Sequence, residues 1–140
     1  MGRGTYRLFD HTADIGVEIS APTLQSLFET AAESLFDLLA DTSSVSAREE
    51  RSVVVAGADL DDLLVRWLAE LLYMHDAEGW LFSRFAVPSV AGERLEGVAA
   101  GELYDPGRHR IKTEIKAVTY HQAAVTRTEN GWKARIVFDV

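Results

Sequence analysis

Apolar and polar residues alternate near the start of the chain. Ile15, Val17 and Ile19 interleave with Gly16, Glu18 and Ser20, the period of two that a half-buried strand requires. The pattern predicts strands over 5–9 and 14–20. From Pro22-Thr23 the period changes. Leu24, Leu27, Phe28, Ala31, Leu35, Phe36, Leu38 and Leu39 largely follow the i, i+3, i+4, i+7 spacing of one buried helical stripe, and Asp41-Thr42-Ser43-Ser44 ends it. A β-branched run, Val53-Val54-Val55, predicts the next strand, closed by Gly57. A second helix is predicted from Asp59, an N-cap, with Asp61 and Asp62 in its first turn where the helix dipole favours negative charge. Leu60, Leu63, Leu64, Trp67, Leu68, Leu71 and Leu72 form its apolar face, and Gly79 breaks it.

Beyond Trp80 the chain reads as strands. Leu81, Ser83, Phe85 and Val87 alternate with Phe82, Arg84 and Ala86, and further strands are predicted over 93–104, 111–120, 122–128 and 132–139. Turn chemistry falls at Asp105-Pro106-Gly107 and Glu129-Asn130-Gly131, and an Asn-Gly pair between β-rich runs is a hairpin signal. Two helices and about seven strands predict an α+β fold, a two-layer sandwich of two helices on a mostly antiparallel or mixed β-sheet. Residues 1–140 are expected to form a single domain.

Composition narrows the functional classes. The chain has 140 residues, 47% of them hydrophobic and 26% charged, as in ordinary globular proteins. No apolar run approaches the roughly 20 residues of a membrane span, and no secretory signal is visible at the start. The absence of cysteine excludes disulfides, thiolate zinc sites and a cysteine nucleophile, and is compatible with a reducing cytoplasm. A net charge of −8 argues against broad direct binding of nucleic acid, which depends on Lys and Arg. It fits a basic protein partner, a cation, or simple solubility.

Candidate chemistry sits at the two ends of the chain. Asp14 lies in His11-Thr12-Ala13-Asp14, and Asp139 lies one residue from the α-carboxylate of Val140. If the fold joins these ends, three carboxylates converge. At about 4 Å and an effective dielectric near 20, each pair would repel by roughly 4 kcal/mol. A hard-metal site made of oxygens would relieve that repulsion. Two unrelated surface aspartates beside a frayed terminus would also satisfy the sequence.

Four segments, in register across essentially the whole chain, carry a resemblance. His11-Thr12-Ala13-Asp14-Ile15-Gly16 resembles the N-terminal signature of the archease family. Leu63-Leu64-Val65-Arg66-Trp67-Leu68-Ala69-Glu70-Leu71-Leu72-Tyr73, followed by Glu78-Gly79-Trp80-Leu81-Phe82-Ser83, is similar to its second-helix motif. Glu114-Ile115-Lys116-Ala117-Val118-Thr119-Tyr120-His121 and Val137-Phe138-Asp139-Val140 complete the match. Two positions depart from the pattern: Ala69 stands where a polar Asn is expected, and Val140 where Ile is usual.

The resemblance implies an accessory protein rather than a stand-alone enzyme. Archeases activate RtcB-type RNA ligases in tRNA splicing and RNA repair, promoting the ligase–guanylate intermediate and repeated turnover. It implies a bound divalent cation, most often calcium, with magnesium or manganese as alternatives. Its ligands would fall on Asp14, Asp139 and Val140. Lys116 resembles a lysine needed for activation. The partner would be the ligase itself, bound transiently, with little or no direct contact to nucleic acid or membrane.

Each assignment has a plainer counterpart. Lys116 would share a strand face with Lys112, Glu114 and Val118, an alternation that also suits a solvated surface. His11 and His121 flank two motifs, and a hydrogen-bonded structural role competes with orientation of Asp14 by His11. His75 and His109 have no context that marks them. Trp67, Trp80 and Phe82 are expected in the core, and Glu70 and Tyr73 at a structural or interfacial position. The competing functions are a metal-dependent phosphoesterase using Asp14 and Asp139, which would need a general base or second metal, and a general protein-binding chaperone module.

Overall fold

The computed structural model describes residues 3–11 and 14–140. In chain order the elements are β1 (Thr5–His11), β2 (Asp14–Ala21), α1 (Leu24–Leu39), a 3-10 turn (Thr42–Ser44), β3 (Glu49–Ala56), α2 (Leu60–Glu78), β4 (Trp80–Ala91), β5 (Arg94–Leu103), β6 (Ala117–Thr128) and β7 (Gly131–Asp139). The α+β class is the expected one. The strands divide between two antiparallel sheets, of order β1-β2-β7-β6 and β3-β5-β4.

Both helices start and stop where their capping chemistry dictates. The Thr23 side chain accepts the Ser26 amide and Ser26 returns the bond, a capping box that opens α1. Asp59 accepts the Asp62 amide at 2.9 Å to open α2. Gly79 ends α2 in the left-handed region, with φ 82°, which costs a glycine little. Each helix touches strands of both sheets, and the Trp67 indole donates to the Phe28 carbonyl at 3.0 Å, tying α2 to α1. One core cluster results, drawing on both helices and both sheets, with Trp67, Trp80 and Phe82 all buried in it. Among the described residues no helix is long and apolar enough to cross a membrane.

Two expectations fail. The strand predicted over 111–120 does not form as one piece. Ile111 makes an isolated bridge to Ala40, and regular pairing begins only at Ala117. The amides of Lys112 and Thr113 are taken by the Leu39 carbonyl at the end of α1, so no neighbouring strand can claim them. Lys116 therefore does not share a strand face with Lys112 and Glu114. The predicted break between 111–120 and 122–128 is also absent: β6 runs through, interrupted by a register shift between Thr119 and Ala124. Gln122, at φ 62°, absorbs the extra residues in a backbone region that non-glycine residues seldom occupy.

Candidate functional site

The two ends of the chain meet in the four-stranded sheet. Asp14, the first residue of β2, lies directly opposite Asp139, the last of β7, and Asp139 in turn lies opposite Ala117 of β6. Directly paired residues put their side chains on one face with Cβ atoms about 4.5–5.5 Å apart. By the period of two, that face also carries Glu18 and Arg135, which are register partners joined by an ion pair at 3.5 Å. The opposite face supplies Val17, Ile19, Ile136 and Phe138 to the core. Asp14, Asp139 and Val140 are half-buried.

Like charges directly opposed across a ladder repel, and among the described residues neither aspartate has a Lys or Arg partner. The donors are hard oxygens, suited to calcium, magnesium or manganese rather than to zinc or copper. Among the described residues no three His, Asp or Glu side chains are grouped so that they could hold a metal ion by themselves. A cation here would take two side-chain carboxylates and draw its remaining oxygens from Val140, main chain or water. Thr12 and Ala13 of the N-terminal motif, and the side chain of His11, lie outside what the structure describes.

Lys116 is exposed and immediately precedes β6. Its amide donates to the Asp139 carbonyl at 2.7 Å. The backbone of the lysine is thus one hydrogen bond from a residue of the carboxylate row. Ile115, beside it, is buried and fixes the chain from the other side.

A second polar cluster holds the segment leading to Lys116. Glu102, buried at the end of β5, receives Arg108 Nη1 and Nη2 at 3.0 Å each, the Ser46 amide at 2.9 Å and His109 Nε2 at 2.9 Å. These bonds, Arg108 foremost, then Ser46 and His109, bring the Glu102 carboxyl from its ordinary 4.5 down to about 2. The sequence marked neither Glu102 nor His109. The only signal available was a lone acidic residue closing the small, apolar run Gly97-Val98-Ala99-Ala100-Gly101.

β6 is also fastened to α2. The Val125 amide donates to Asp61 at 2.8 Å, and the Tyr120 hydroxyl to Asp62 at 2.7 Å. The Ala58 amide first, then the Tyr120 hydroxyl, hold the Asp62 carboxyl below its usual range. Glu70 and Tyr73 are exposed on α2 and line an open groove with Val55, Ala56 and Arg66. His121 is exposed beside the register shift of β6, and His75 bonds the Trp80 carbonyl through Nδ1 at 2.9 Å.

The two-sheet α+β fold and the sequence that forms it match proteins already known. The archease protein family model matches residues 6–140. Protein archease of Methanosarcina mazei is 40% identical over 139 residues, spanning 96% of this chain and 95% of that protein. That of Methanopyrus kandleri is 42% identical over 134 residues, spanning 94% and 96%. The solution structure of protein 1598 of Methanobacterium thermoautotrophicum superposes with a TM-score of 0.84 at 40% identity, covering 96% of this chain and 98% of that one. A crystal structure of an archease of Thermotoga maritima, described as a possible chaperone, has the same fold, with a TM-score of 0.64 at 24% identity over 94% of each chain. The chain belongs to the archease family.

Proposed function

We propose that this protein is a metal-binding accessory protein that activates an RtcB-type RNA ligase, promoting guanylylation of the ligase and repeated turnover in tRNA splicing or RNA repair. The observation that best supports the reading is the junction at Asp139: its side chain faces Asp14 across the ladder while its carbonyl holds the amide of Lys116. Asp14, Asp139 and an oxygen of Val140 would hold a divalent cation, most simply calcium, whose two positive charges would offset the repulsion along the row. Lys116 would add a compact ammonium with three donors, suited to a phosphate or carboxylate of the ligase–nucleotide centre. The lysine side chain is exposed, so it is free to enter another protein's cleft.

The test is ligase–guanylate formation from GTP, with and without this protein, in calcium and after chelation. Stimulation that needs the protein, the cation and Lys116 supports the reading. Incubation with phosphoester substrates in the absence of ligase separates the phosphoesterase alternative, since an enzyme turns over alone. Protection of unrelated unfolding proteins from aggregation, without ligase stimulation, would favour the chaperone alternative.

A further inference from the structure

Between β5 and β6 the chain crosses the molecule as a strap, residues 104–116, with almost no sheet pairing of its own. It starts where the Tyr104 amide donates to the Gly79 carbonyl at 2.7 Å, and beyond that point it is held at three levels. At its tip the Lys116 amide bonds the Asp139 carbonyl. In its middle it hangs on the end of α1: the Arg110 carbonyl accepts the Asp41 amide at 3.0 Å, and the Leu39 carbonyl accepts Lys112 at 2.8 Å. At its root Arg108 and His109 fold back onto Glu102.

The root is the most heavily built of the three. Both oxygens of a buried carboxylate are filled by the two-point grip of Arg108, and Arg48 Nε lies 3.9 Å from one of them. His109 has one arrangement that fits. The Asp105 amide can only donate, so Nδ1, at 2.9 Å, accepts, and Nε2 must carry the proton offered to Glu102. Arg108 also reaches the Ser44 carbonyl at 3.4 Å, so the cluster locks the strap to the loop after α1. Fully satisfied buried polar networks fix one arrangement of the chain, and this one fixes the strap at residues 108 and 109.

We propose that Glu102, Arg108 and His109 form a clamp that positions Lys116, fixing the root of the strap so that its tip reaches Asp139. None of the three touches the proposed partner; they act through Lys116. The functional half of this inference rests on the role proposed above for Lys116, whereas the structural half does not.

The test uses the full chain carrying Arg108→Ala, a half-exposed position, and Arg108→Lys, which keeps the charge but loses the two-point grip. Amide hydrogen exchange is read at every residue, together with the maximum stimulation of ligase guanylylation and the concentration giving half of it. In Arg108→Ala the strap amides, Lys116 included, should exchange at least about tenfold faster, while the β2–β7 ladder stays within about twofold, as local opening requires. Maximum stimulation should fall with the half-stimulating concentration unchanged, and Arg108→Lys should fall between. Unchanged strap exchange would overturn the clamp. So would ladder amides opening as much as the strap, which marks a general stability network, or a loss confined to the half-stimulating concentration, which marks a direct partner contact. Full stimulation by Lys116→Ala would instead overturn the role of the lysine, and the exchange data would still decide the clamp.

Discussion

At the scale of single residues, the molecule separates groups that hold structure from groups left available. Lys116 has an exposed side chain and no ion-pair partner among the described residues. Lys116→Ala should therefore change stability by less than about 0.5 kcal/mol, read as a thermal midpoint, while abolishing most ligase stimulation. Asp14→Asn and Asp139→Asn should each weaken calcium binding in calorimetry, because affinity at such sites tracks ligand charge. Equal affinity in both variants would remove the cation from the carboxylate row. Glu102 behaves oppositely, since its work is internal. Its folded carboxyl titrates at about 2 against an ordinary 4.5, so between those values the unfolded chain binds a proton that the folded one does not. Stability must fall as pH drops through that window. Glu102→Gln should flatten this acid limb in urea midpoints measured from pH 5 to pH 2. Asp14 and Asp139 were legible because each sits beside a strand at an end of the chain. Glu102 was not, because its partners Arg108, His109 and Ser46 come together only when a loop and a strap close over it.

At the scale of elements, legibility followed local chemistry. Both helices were readable because stripe, cap and breaker agree: Thr23, Asp59 and Gly79 do what their types predict. β2 was readable in phase, with Val17 and Ile19 in the core as their alternation predicts, but not every strand was. In β4 the register shifts between Phe82 and Arg84: Trp80, Leu81 and Phe82 are all buried before it, and only after it do buried Phe85 and Val87 alternate with exposed Arg84 and Ala86, so a strict alternation holds for the second half of the run alone. The strap was unreadable because its alternating charges imitate a strand, while its amides are claimed by α1, distant in sequence. Glycines test this level. At Gly79 an added Cβ would meet nothing within 4 Å, so Gly79→Ala should cost only the left-handed backbone, about 1–2 kcal/mol. At Gly101 it would run into the Leu81 carbonyl and the Phe82 backbone across the β4–β5 ladder. Gly101→Ala should cost clearly more in denaturant unfolding, since backbone, unlike a flexible side chain, cannot step aside.

At the scale of the whole molecule, net charge bears on the partner. The chain carries 22 acidic residues against 14 basic ones. A ligase that holds RNA phosphates and a nucleotide must present a basic cleft, and an acidic activator would be drawn to it. Such steering is screened over about 8–10 Å at physiological salt. Stimulation should weaken as salt rises, beyond any effect of salt on the ligase alone, and the isolated protein should bind RNA weakly or not at all. Tight RNA binding by the isolated protein would point to direct RNA handling instead. Joint action of the carboxylate row and Lys116 on a ligase would show in single-turnover guanylylation of an RtcB-type ligase by GTP. Wild-type protein with calcium should accelerate it, and Asp139→Asn and Lys116→Ala, both folded, should each lose that acceleration. Equal acceleration by wild type and both variants would show that neither the row nor Lys116 acts on the ligase.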